Sequence, residues 1–424
     1  MAVLDTVRLA TQRLGFLQSL RDNGDIVRIH LGTRPAFVLN APELVRQVLM
    51  TDAAEFDKGR FFDKMRPVLG TGILTCSTQA HRRQRSLVQP AFHHERVRGY
   101  VDIMATLAGR VADSWQPGRV LRFDHEMHDL ALDVVATSLF AADIGRRAVE
   151  ETQQLFPYIS KSVARRTLSP FPWLERLPTP GNRRFAAACD RLWTVIDEVI
   201  AAYRRNGTDH GDLLSMLLAS QDGDGLSDRE IRDEVVTLMG AGTETSSNSL
   251  CWLFYELDRH PVVAQRMRAE IDAVVGDRPV RYEDVKGLAY TQQVISETLR
   301  LRSPIWFLMR RVTHAVEIGG LLLEPGTEVL FSPTALHRDP NVYADPMRFD
   351  PDRWAPGNDL RSVFLPFGMG PRKCVGDVFA RTEMVVIAAT ILRRWRTEVV
   401  GGPFEEVCSG SLHLSRLPIV VHSR

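Results

Sequence analysis

The spacing of apolar residues changes along this chain and divides it into a helical part and a strand-rich part. Near the start, the segments IVRIHLG and AFVLN alternate as two strands do, and Gly32–Pro35 join them. Helical spacing dominates from Glu43 to about Leu301. From Val312 the pattern predicts short strands and a coil rich in proline and aspartate. One helix after Cys374 and a last strand pair near SLHLS and IVVHS complete the prediction.

The longest helical segment, LSDREIRDEVVTLMGAGTETSSNSLCWLFYELDRHP, predicts a helix that crosses the molecule. Ser227 and Glu230 have the spacing of a capping box, and Pro261 ends the run. Roughly 32 residues at 1.5 Å each give about 48 Å. Its middle, AGTETSS, is a poor helix former, since an interior glycine costs ~1 kcal/mol relative to alanine. Close helix packing is one explanation for these glycines, and a functional groove is the other.

Composition narrows the class of protein. The 424 residues are 44% hydrophobic and 25% charged, which is typical of a soluble globular protein. The net charge of +1 argues against a nucleic-acid binder held by bulk charge. No apolar span of ~20 residues opens the chain, so we expect no transmembrane anchor. Five irregularly spaced cysteines favour a reducing, cytoplasmic location. Without repeats or long linkers, we expect one mostly α domain with a small β-rich portion (α+β) over residues 1–424.

The segment FGMGPRKCVG surrounds one cysteine, Cys374, with glycines and cations. For an arbitrary free cysteine, a buried structural role is the ordinary interpretation. Here Arg372, Lys373 and a helix beginning near Val375 are all expected to lower the thiol pKa, as a thiolate metal ligand requires. Gly376 leaves space for a flat group beside the backbone.

The arrangement F-x-x-G-x-R-x-C-x-G meets every fixed position of the haem-binding signature of the cytochrome P450 family, and the chain resembles that family of haem-thiolate monooxygenases. The resemblance implies the mostly helical cytochrome P450 fold with a long central helix. It also implies haem b with Cys374 as the axial iron ligand. The residues that it places around the cofactor in this loop are Phe367, Gly368, Arg372 and Gly376.

Two further segments carry the resemblance. Glu297 and Arg300 lie three residues apart in ETLRLRSP, and such pairs are usually solvated surface contacts. With Arg353 of FDPDRW they resemble the Glu-Arg-Arg triad of the family. AGTET resembles its oxygen-binding groove, which implies that Thr245 hydrogen-bonds iron-bound oxygen and that Glu244 relays protons, with Ala241 and Gly242 at the cofactor. Splitting an O–O bond requires protons in a dry pocket, so a hydroxyl and an acid are chemically apt.

The two haem propionates need cationic or hydrogen-bonding partners. His81 and Arg85 lie four residues apart on one helix face, and the family often has tryptophan where His81 stands. The resemblance adds Arg311 and His337, besides Arg372. For each residue taken alone, a surface role is an equally good explanation.

The substrate pocket is expected to be apolar and shaped for a hydrophobic small molecule. The segment LRLRSPIWFLMRRV resembles bacterial family members that oxidise cyclic terpenes in secondary metabolism. An ordinary core position is an equal alternative for each candidate. The candidate pocket residues are Phe61, Phe62, Leu69, Ile73, Leu238, Met239, Ile305, Trp306, Phe307, Leu308 and Leu412.

Electrons have to come from a separate protein, because no G-x-G-x-x-G follows a strand and no flavin or iron–sulfur domain is appended. A ferredoxin with its reductase is the expected donor. Arg82, Arg83 and Lys373 would form a basic docking patch, and a solvated arginine face is the alternative.

The expected function is therefore an O₂-dependent monooxygenase that hydroxylates C–H bonds of a terpenoid or other secondary metabolite. A peroxide-driven peroxygenase and a non-catalytic haem-thiolate binding protein are the alternatives. A zinc site is disfavoured, because no second cysteine or histidine has ligand spacing near Cys374.

Overall fold

The computed structural model describes residues 2–32, 34–140, 151–152, 154–155, 158–159, 161–163, 165–166, 172–206, 212–220, 225–358, 360 and 362–424. Helices dominate these residues. They are α1 (Ala2–Gln12), α2 (Leu14–Ser19), α3 (Pro42–Arg46), α4 (Arg60–Leu69), α5 (Thr78–Val88), α6 (His94–Ser114), α7 (Phe123–Leu139), α8 (Pro180–Asn206), α9 (Leu213–Ala219), α10 (Asp228–Arg259), α11 (Pro261–Val274), α12 (Tyr282–Gly287), α13 (Ala289–Leu301), α14 (Pro333–His337) and α15 (Asp377–Arg394).

In the described part of the chain, short strands form four small sheets. The strands are β1 (Ile26–Leu31), β2 (Arg34–Leu39), β3 (Phe56–Lys58), β4 (Val120–Arg122), β5 (Leu308–Val312), β6 (Val316–Ile318), β7 (Leu321–Leu323), β8 (Glu328–Phe331), β9 (Trp395–Val399), β10 (Glu406–Cys408), β11 (Leu412–Leu414) and β12 (Pro418–Ser423). The largest sheet has the order β1-β2-β8-β5-β3, in which β2 and β8 run parallel.

The predicted long helix is confirmed as α10, which has 32 residues. Its N-terminus carries the predicted capping box: the Ser227 hydroxyl accepts from the Glu230 amide, and the Glu230 carboxylate accepts from the Ser227 amide. An added Cβ at Gly242 would lie 2.9 Å from a methyl of Val135 on α7. Close packing against α7 therefore accounts for this interior glycine.

The core is built around α10 and α15. Helix α10 packs against α7, and α15 packs against α6. The run Val385–Ala389 in α15 is completely buried, so its burial on all sides suits an interior helix. Since α15 begins three residues after Cys374, the cysteine loop is attached to a deeply buried helix.

The predicted hairpin of β1 and β2 is confirmed as an antiparallel pair. The prediction for the last two strands is wrong in its pairing, because β11 pairs with β10 whereas β12 lies between β4 and β9. Alternation identifies a strand but not its partner, which tertiary packing decides. No helix among the described residues has the length and apolar character to span a membrane.

Candidate active site

The loop before α15 is fixed by its own backbone. The Cys374 amide donates to the Phe367 carbonyl at 2.9 Å. Gly368 and Gly370 have φ angles of +67° and +70°, which other residues rarely adopt. A Cβ added at Gly370 would lie 1.9 Å from the Leu49 carbonyl oxygen, so glycine is also required there for space. The two glycines before the cysteine therefore shape the loop.

The Cys374 side chain is exposed, whereas the other four cysteines, Cys76, Cys189, Cys251 and Cys408, are buried. The sulfur is accessible, but many protein atoms lie around it, and this partial loss of solvation raises the thiol pKa. The Gly376 amide donates to the sulfur and, with Arg85 and Lys373, lowers the pKa by a smaller amount. The predicted lowering is confirmed for Lys373 and for a backbone amide, but burial outweighs it and the net pKa is raised. Metal coordination would provide the remaining stabilisation of the thiolate.

Arg85 on α5 binds the cysteine loop directly. Its Nη1 donates to the carbonyl oxygens of Lys373 at 2.6 Å and Pro371 at 3.3 Å. A Cβ at Gly376 would contact the Phe92 ring at 3.5 Å, an ordinary distance. The structure thus places Arg85 at the loop, while the predicted role of Gly376 beside a flat group stays a prediction.

The middle of α10 is accessible although the helix on both sides is buried. Ala241 is exposed, and Gly242, Glu244 and Thr245 are half-buried. The Thr245 hydroxyl donates to the Ala241 carbonyl at 2.7 Å, one helical turn before it. The Glu244 carboxylate accepts from the Ser411 hydroxyl at 2.6 Å. A hydroxyl and an acid therefore border the accessible segment of the helix.

Three cationic side chains lie buried near the cysteine loop: Lys58 on β3, Arg310 on β5 and Arg372. Their exposed fractions are 7%, 6% and 10%. Burial, followed by the charges of Arg310 and Arg372, holds the pKa of Lys58 well below its usual value. Burial and Arg372 lower the pKa of Arg310 to about 10. We call Lys58, Arg310 and Arg372 the cation cluster.

His81 on α5 belongs to the same region. Burial, then Arg372, Lys58 and Arg85, lower its pKa to about 3. The imidazole is therefore neutral at physiological pH. As a neutral ring it keeps one N–H donor without adding a further positive charge.

The cation cluster has more positive than negative charge. Arg372 forms an ion pair of 3.4 Å with Asp57. Among the described residues, Asp57 is the carboxylate that lies close enough to act on all three cations. With Lys58 protonated, which a bound anionic group would favour, the formal charges are three positive and one negative, and the balance is two positive charges. Buried charges without partners are strongly unfavourable. The donor set therefore fits a group with two carboxylates, and the two propionates of haem b match it in charge.

Two residues predicted for the propionates have other partners. Arg311 pairs with Glu328 and Asp63, both at 2.7 Å, because alternate residues of β5 point to opposite faces. His337 is fully buried, with Nδ1 3.2 Å from the Arg300 carbonyl and Nε2 accepting from the Leu365 amide at 2.9 Å. The structure thus gives Arg311 and His337 other partners, and Arg310 is the arginine of β5 that lies near Arg372 and Asp57. Which arginine contacts a propionate stays a prediction.

The predicted triad is present as a buried ion-pair network. Both Arg300 nitrogens facing Glu297 donate to it at 2.8 Å, and neither side chain is exposed. Arg353 donates to the same carboxylate at 3.3 Å, and the Trp354 indole does so at 3.0 Å. Arg300 also donates to the His337 and Pro346 carbonyls. We call Glu297, Arg300 and Arg353 the acid–arginine network.

Two buried carboxyl groups tie the predicted pocket loop to α10. Asp233 accepts from the Thr71 amide at 2.7 Å, and Glu234 accepts from the Ile73 amide at 3.0 Å. Burial raises the pKa of Glu234 to about 8, so this carboxyl is largely protonated at neutral pH. A Cβ at Gly70 would lie 2.1 Å from the Asp233 carboxylate, which explains the glycine. The loop is held rigidly against the helix.

The predicted pocket residues fall into two groups. Leu69, Ile73, Leu238 and Met239 belong to the main core cluster around α10. The second group packs with the N-terminal helices; its members are Phe61, Trp306, Phe307 and Leu412. Of these, Phe61, Trp306 and Phe307 border a groove beside α1. Phe62 is buried under the Lys58 ammonium, and Ile305 and Leu308 are half-buried. Which of these contact substrate stays a prediction.

The sequence analysis missed Lys58, Arg310, Ser411 and the Asp233–Glu234 pair. The motif MRRV offers two arginines, and strand alternation shows only that they face opposite sides. Lys58 and Ser411 lie in short segments without a motif, so only the tertiary structure brings them to the site.

Comparison with known proteins agrees with this geometry. The family model "Cytochrome P450" matches residues 6–417. The chain is 42% identical over 404 residues to cyclooctat-9-en-7-ol 5-monooxygenase from Streptomyces melanosporofaciens, covering 94% of this chain and 88% of that protein. It is 40% identical over 392 residues to pentalenene oxygenase from Streptomyces avermitilis, covering 91% and 87%.

A solved structure shows the same fold. The crystal structure of the cytochrome P450DA heme domain superposes with a TM-score of 0.86 at 25% identity, covering 98% of this chain and 93% of that one. The fold and site thus define a haem-thiolate oxidoreductase. The chain belongs to the cytochrome P450 family, with haem b as cofactor, and it is an O₂-dependent monooxygenase.

Proposed function

We propose that this monooxygenase hydroxylates a C–H bond of a cyclic terpenoid with electrons from a ferredoxin system. The observation that carries the proposal is the accessible Cys374 beside a buried cation cluster whose two excess charges match the propionates. The terpenoid class is supported by the relatives named after cyclooctat-9-en-7-ol and pentalenene. The apolar candidates Leu238, Trp306 and Phe307 suit such a substrate.

The protein contributes positions and protons to this reaction. Cys374 would hold the iron through Sγ, and Lys58, Arg310 and Arg372, with neutral His81, would hold the propionates. When bound, the haem supplies oxygen activation that transfers one oxygen atom to a C–H bond. The Thr245 hydroxyl, whose proton goes to the Ala241 carbonyl, would accept a hydrogen bond at the accessible turn of α10, and the Glu244 carboxyl would pass protons toward it. The buried apolar residues of α10 would exclude bulk water.

The substrate test uses pentalenene and cyclooctat-9-en-7-ol as probes. Each is titrated into ferric protein while the Soret band is followed for a low- to high-spin shift, and turnover with NADPH, ferredoxin and ferredoxin reductase is analysed for hydroxylated product. We expect a saturable shift and a product that contains one added oxygen atom. Lack of both for a panel of cyclic terpenoids would contradict the substrate class. Equal turnover with hydrogen peroxide alone would favour a peroxygenase.

The three residues proposed to dock the electron donor differ in exposure and in their contacts. Arg82 is exposed, whereas Arg83 donates to the Gly225 carbonyl and contacts Glu230. Lys373 is exposed and contacts Asp377. We therefore expect Arg82→Glu to slow reduction by ferredoxin without changing haem binding. Arg119→Glu, on an exposed turn before β4, is the matched control. Reduction of the Arg82 variant at the wild-type rate would exclude this arginine from docking.

A further inference from the structure

The turn between β10 and β11 contacts the acid of α10 through one hydroxyl. Ser411 is 2% exposed, and its Oγ donates to Oε1 of Glu244 at 2.6 Å. The Asn248 side-chain amide donates to the same Oγ at 2.9 Å. Glu244 and Asn248 lie four residues apart on one face of α10, so the serine bridges consecutive turns of the helix.

This arrangement gives the hydrogen bond a direction. A serine hydroxyl has a single proton and can also accept. The Asn248 amide has only hydrogens to offer at its nitrogen, so Ser411 accepts from it and turns its own proton to Glu244. Helix α7 packs against this part of α10, and its His128 lies within electrostatic range of Glu244. Ser411 thus fixes the position of Oε1 of Glu244, and the carboxylate lies between α10, α7 and the turn that carries the serine.

The same turn is attached to the predicted pocket wall. The Leu412 amide, next to Ser411, donates to the Pro304 carbonyl at 2.8 Å. The Trp252 indole of α10 donates to the Leu412 carbonyl at 3.3 Å. Pro304 directly precedes Ile305 and Trp306, both candidate pocket residues. If a substrate moved this wall, Leu412 and the adjacent Ser411 would move with it, and the hydrogen bond from Ser411 to Glu244 would change.

We propose that Ser411 is a positioning residue for proton delivery: it fixes the Glu244 carboxylate at the accessible turn of α10 and connects this acid to the pocket wall. The inference rests on the proposed role of Glu244 in passing protons. Ser411 acts through Glu244 and donates no proton to substrate itself.

The test measures where electrons go. Wild type, Ser411→Ala, Ser411→Thr, Glu244→Gln and the double variant Glu244→Gln/Ser411→Ala are prepared as haem-loaded enzymes with ferredoxin, its reductase, NADPH and pentalenene as probe. Ser409→Ala removes a hydroxyl from the same turn and is the matched control. The readouts are hydrogen peroxide released per NADPH, product where it forms, and the solvent deuterium isotope effect on NADPH consumption. Peroxide release is measurable whether or not pentalenene is converted.

We expect Ser411→Ala to lower productive use of NADPH about tenfold, the lower end of the effect expected for one lost hydrogen bond to a charged group. Peroxide release and the solvent isotope effect should rise, while the reduced carbon monoxide spectrum stays unchanged. Ser411→Thr should restore most of the loss. In the Glu244→Gln background the serine change should add nothing, because both act on one step.

Several outcomes would overturn the inference. The inference is contradicted if Ser411→Ala releases as much peroxide per NADPH as wild type. It is also contradicted if the effects of the two single changes add fully in the double variant, or if Ser409→Ala has an equal effect. If Ser411→Ala does not fold, Asn248→Ala removes the partner donor and is measured in the same way, with the same expected rise in peroxide. If Glu244→Gln itself leaves peroxide release unchanged, the proposed role of Glu244 fails. If only the serine variant is silent, the inference alone fails.

Discussion

Two groups of arginines are buried in this protein, and they differ in what neutralises them. In the acid–arginine network, Arg300 meets a carboxylate through two nitrogens and also donates to backbone carbonyls. In the cation cluster, three cations meet one carboxylate, Asp57. Burial lowers the pKa of Arg310 to about 10. Arg372 also donates to the Cys76 carbonyl and the Thr78 hydroxyl, so what separates the two groups is the number of cations for each carboxylate.

This difference in carboxylate partners indicates different roles for the two groups, although their arginines look alike in the sequence. A network whose hydrogen-bonding groups are satisfied stabilises the protein as it stands, and removing one member leaves a buried charge. A cluster with excess charge is stabilised when an anionic group binds. We therefore assign the acid–arginine network to folding and the cation cluster to the haem.

The largest expected effect comes from breaking the acid–arginine network. Glu297→Ala leaves Arg300 buried without its carboxylate, which costs about 3–5 kcal/mol of the free energy of unfolding. We expect little folded, haem-loaded protein, as measured by far-UV circular dichroism and the Soret absorbance. Glu283→Ala, at an exposed glutamate of α12, is the control and should change stability by less than about 1 kcal/mol. Wild-type stability of the Glu297 variant would show that the network does not support the fold.

An effect of the opposite kind is expected in the cation cluster. Arg310→Met removes a repelling charge, so the haem-free protein should be as stable as wild type or more stable. A charge-assisted hydrogen bond is worth about 1.5–3 kcal/mol, so haem should bind about 10- to 100-fold more weakly. Haem transfer to apomyoglobin measures the loss.

The neighbouring Arg311→Met is the matched control, because it removes an arginine from the opposite face of β5. It strands the buried Glu328, which lies 2.7 Å from Arg311. We expect Arg311→Met to lower the stability of the haem-free protein. Its rate of haem transfer should change only as far as this lower stability requires. The reverse result, with haem lost through Arg311 and not Arg310, would restore the original prediction from the sequence.

A smaller effect concerns the pH dependence of stability. The pKa of His337 is lowered to about 3, chiefly by burial. Between pH 3 and about 6.5 the unfolded state binds this proton and the folded state does not, so stability is lost as pH falls below 6.5, by up to ~1.4 kcal/mol per pH unit. His337→Asn should remove this contribution. Urea unfolding of both proteins at pH 5, 6 and 7 gives the two slopes, and identical slopes would contradict a neutral buried ring.

Much of the fold follows from local patterns. Helix α10 and its cap follow from apolar spacing and from Ser227 and Glu230, because both signals lie within one stretch of chain. The pairing of β11 and β12 could not be predicted, because β11 joins β10, a three-residue strand without a clear pattern, and β12 joins β4, which is remote in sequence. The capping box and the strand alternation are local, whereas strand partners are set by the packed core.

The site divides in the same way. The Cys374 loop and the Glu297–Arg300 pair could be recognised because their residues are contiguous or one turn apart. Lys58 and Arg310 could not, because their meaning depends on the charges that surround them in space. The thiol pKa also required the structure, since burial outweighs the neighbouring cations.

The most direct test concerns the bond between Cys374 and the haem iron. The purified, fully haem-loaded protein is reduced under carbon monoxide, and its absorption spectrum is compared with that of Cys374→Ser loaded in the same way. We predict the far-red-shifted Soret band of thiolate-bound haem for the wild type and its loss in the variant. A wild-type protein without this band, or a serine variant that retains it, would contradict the assignment of Cys374.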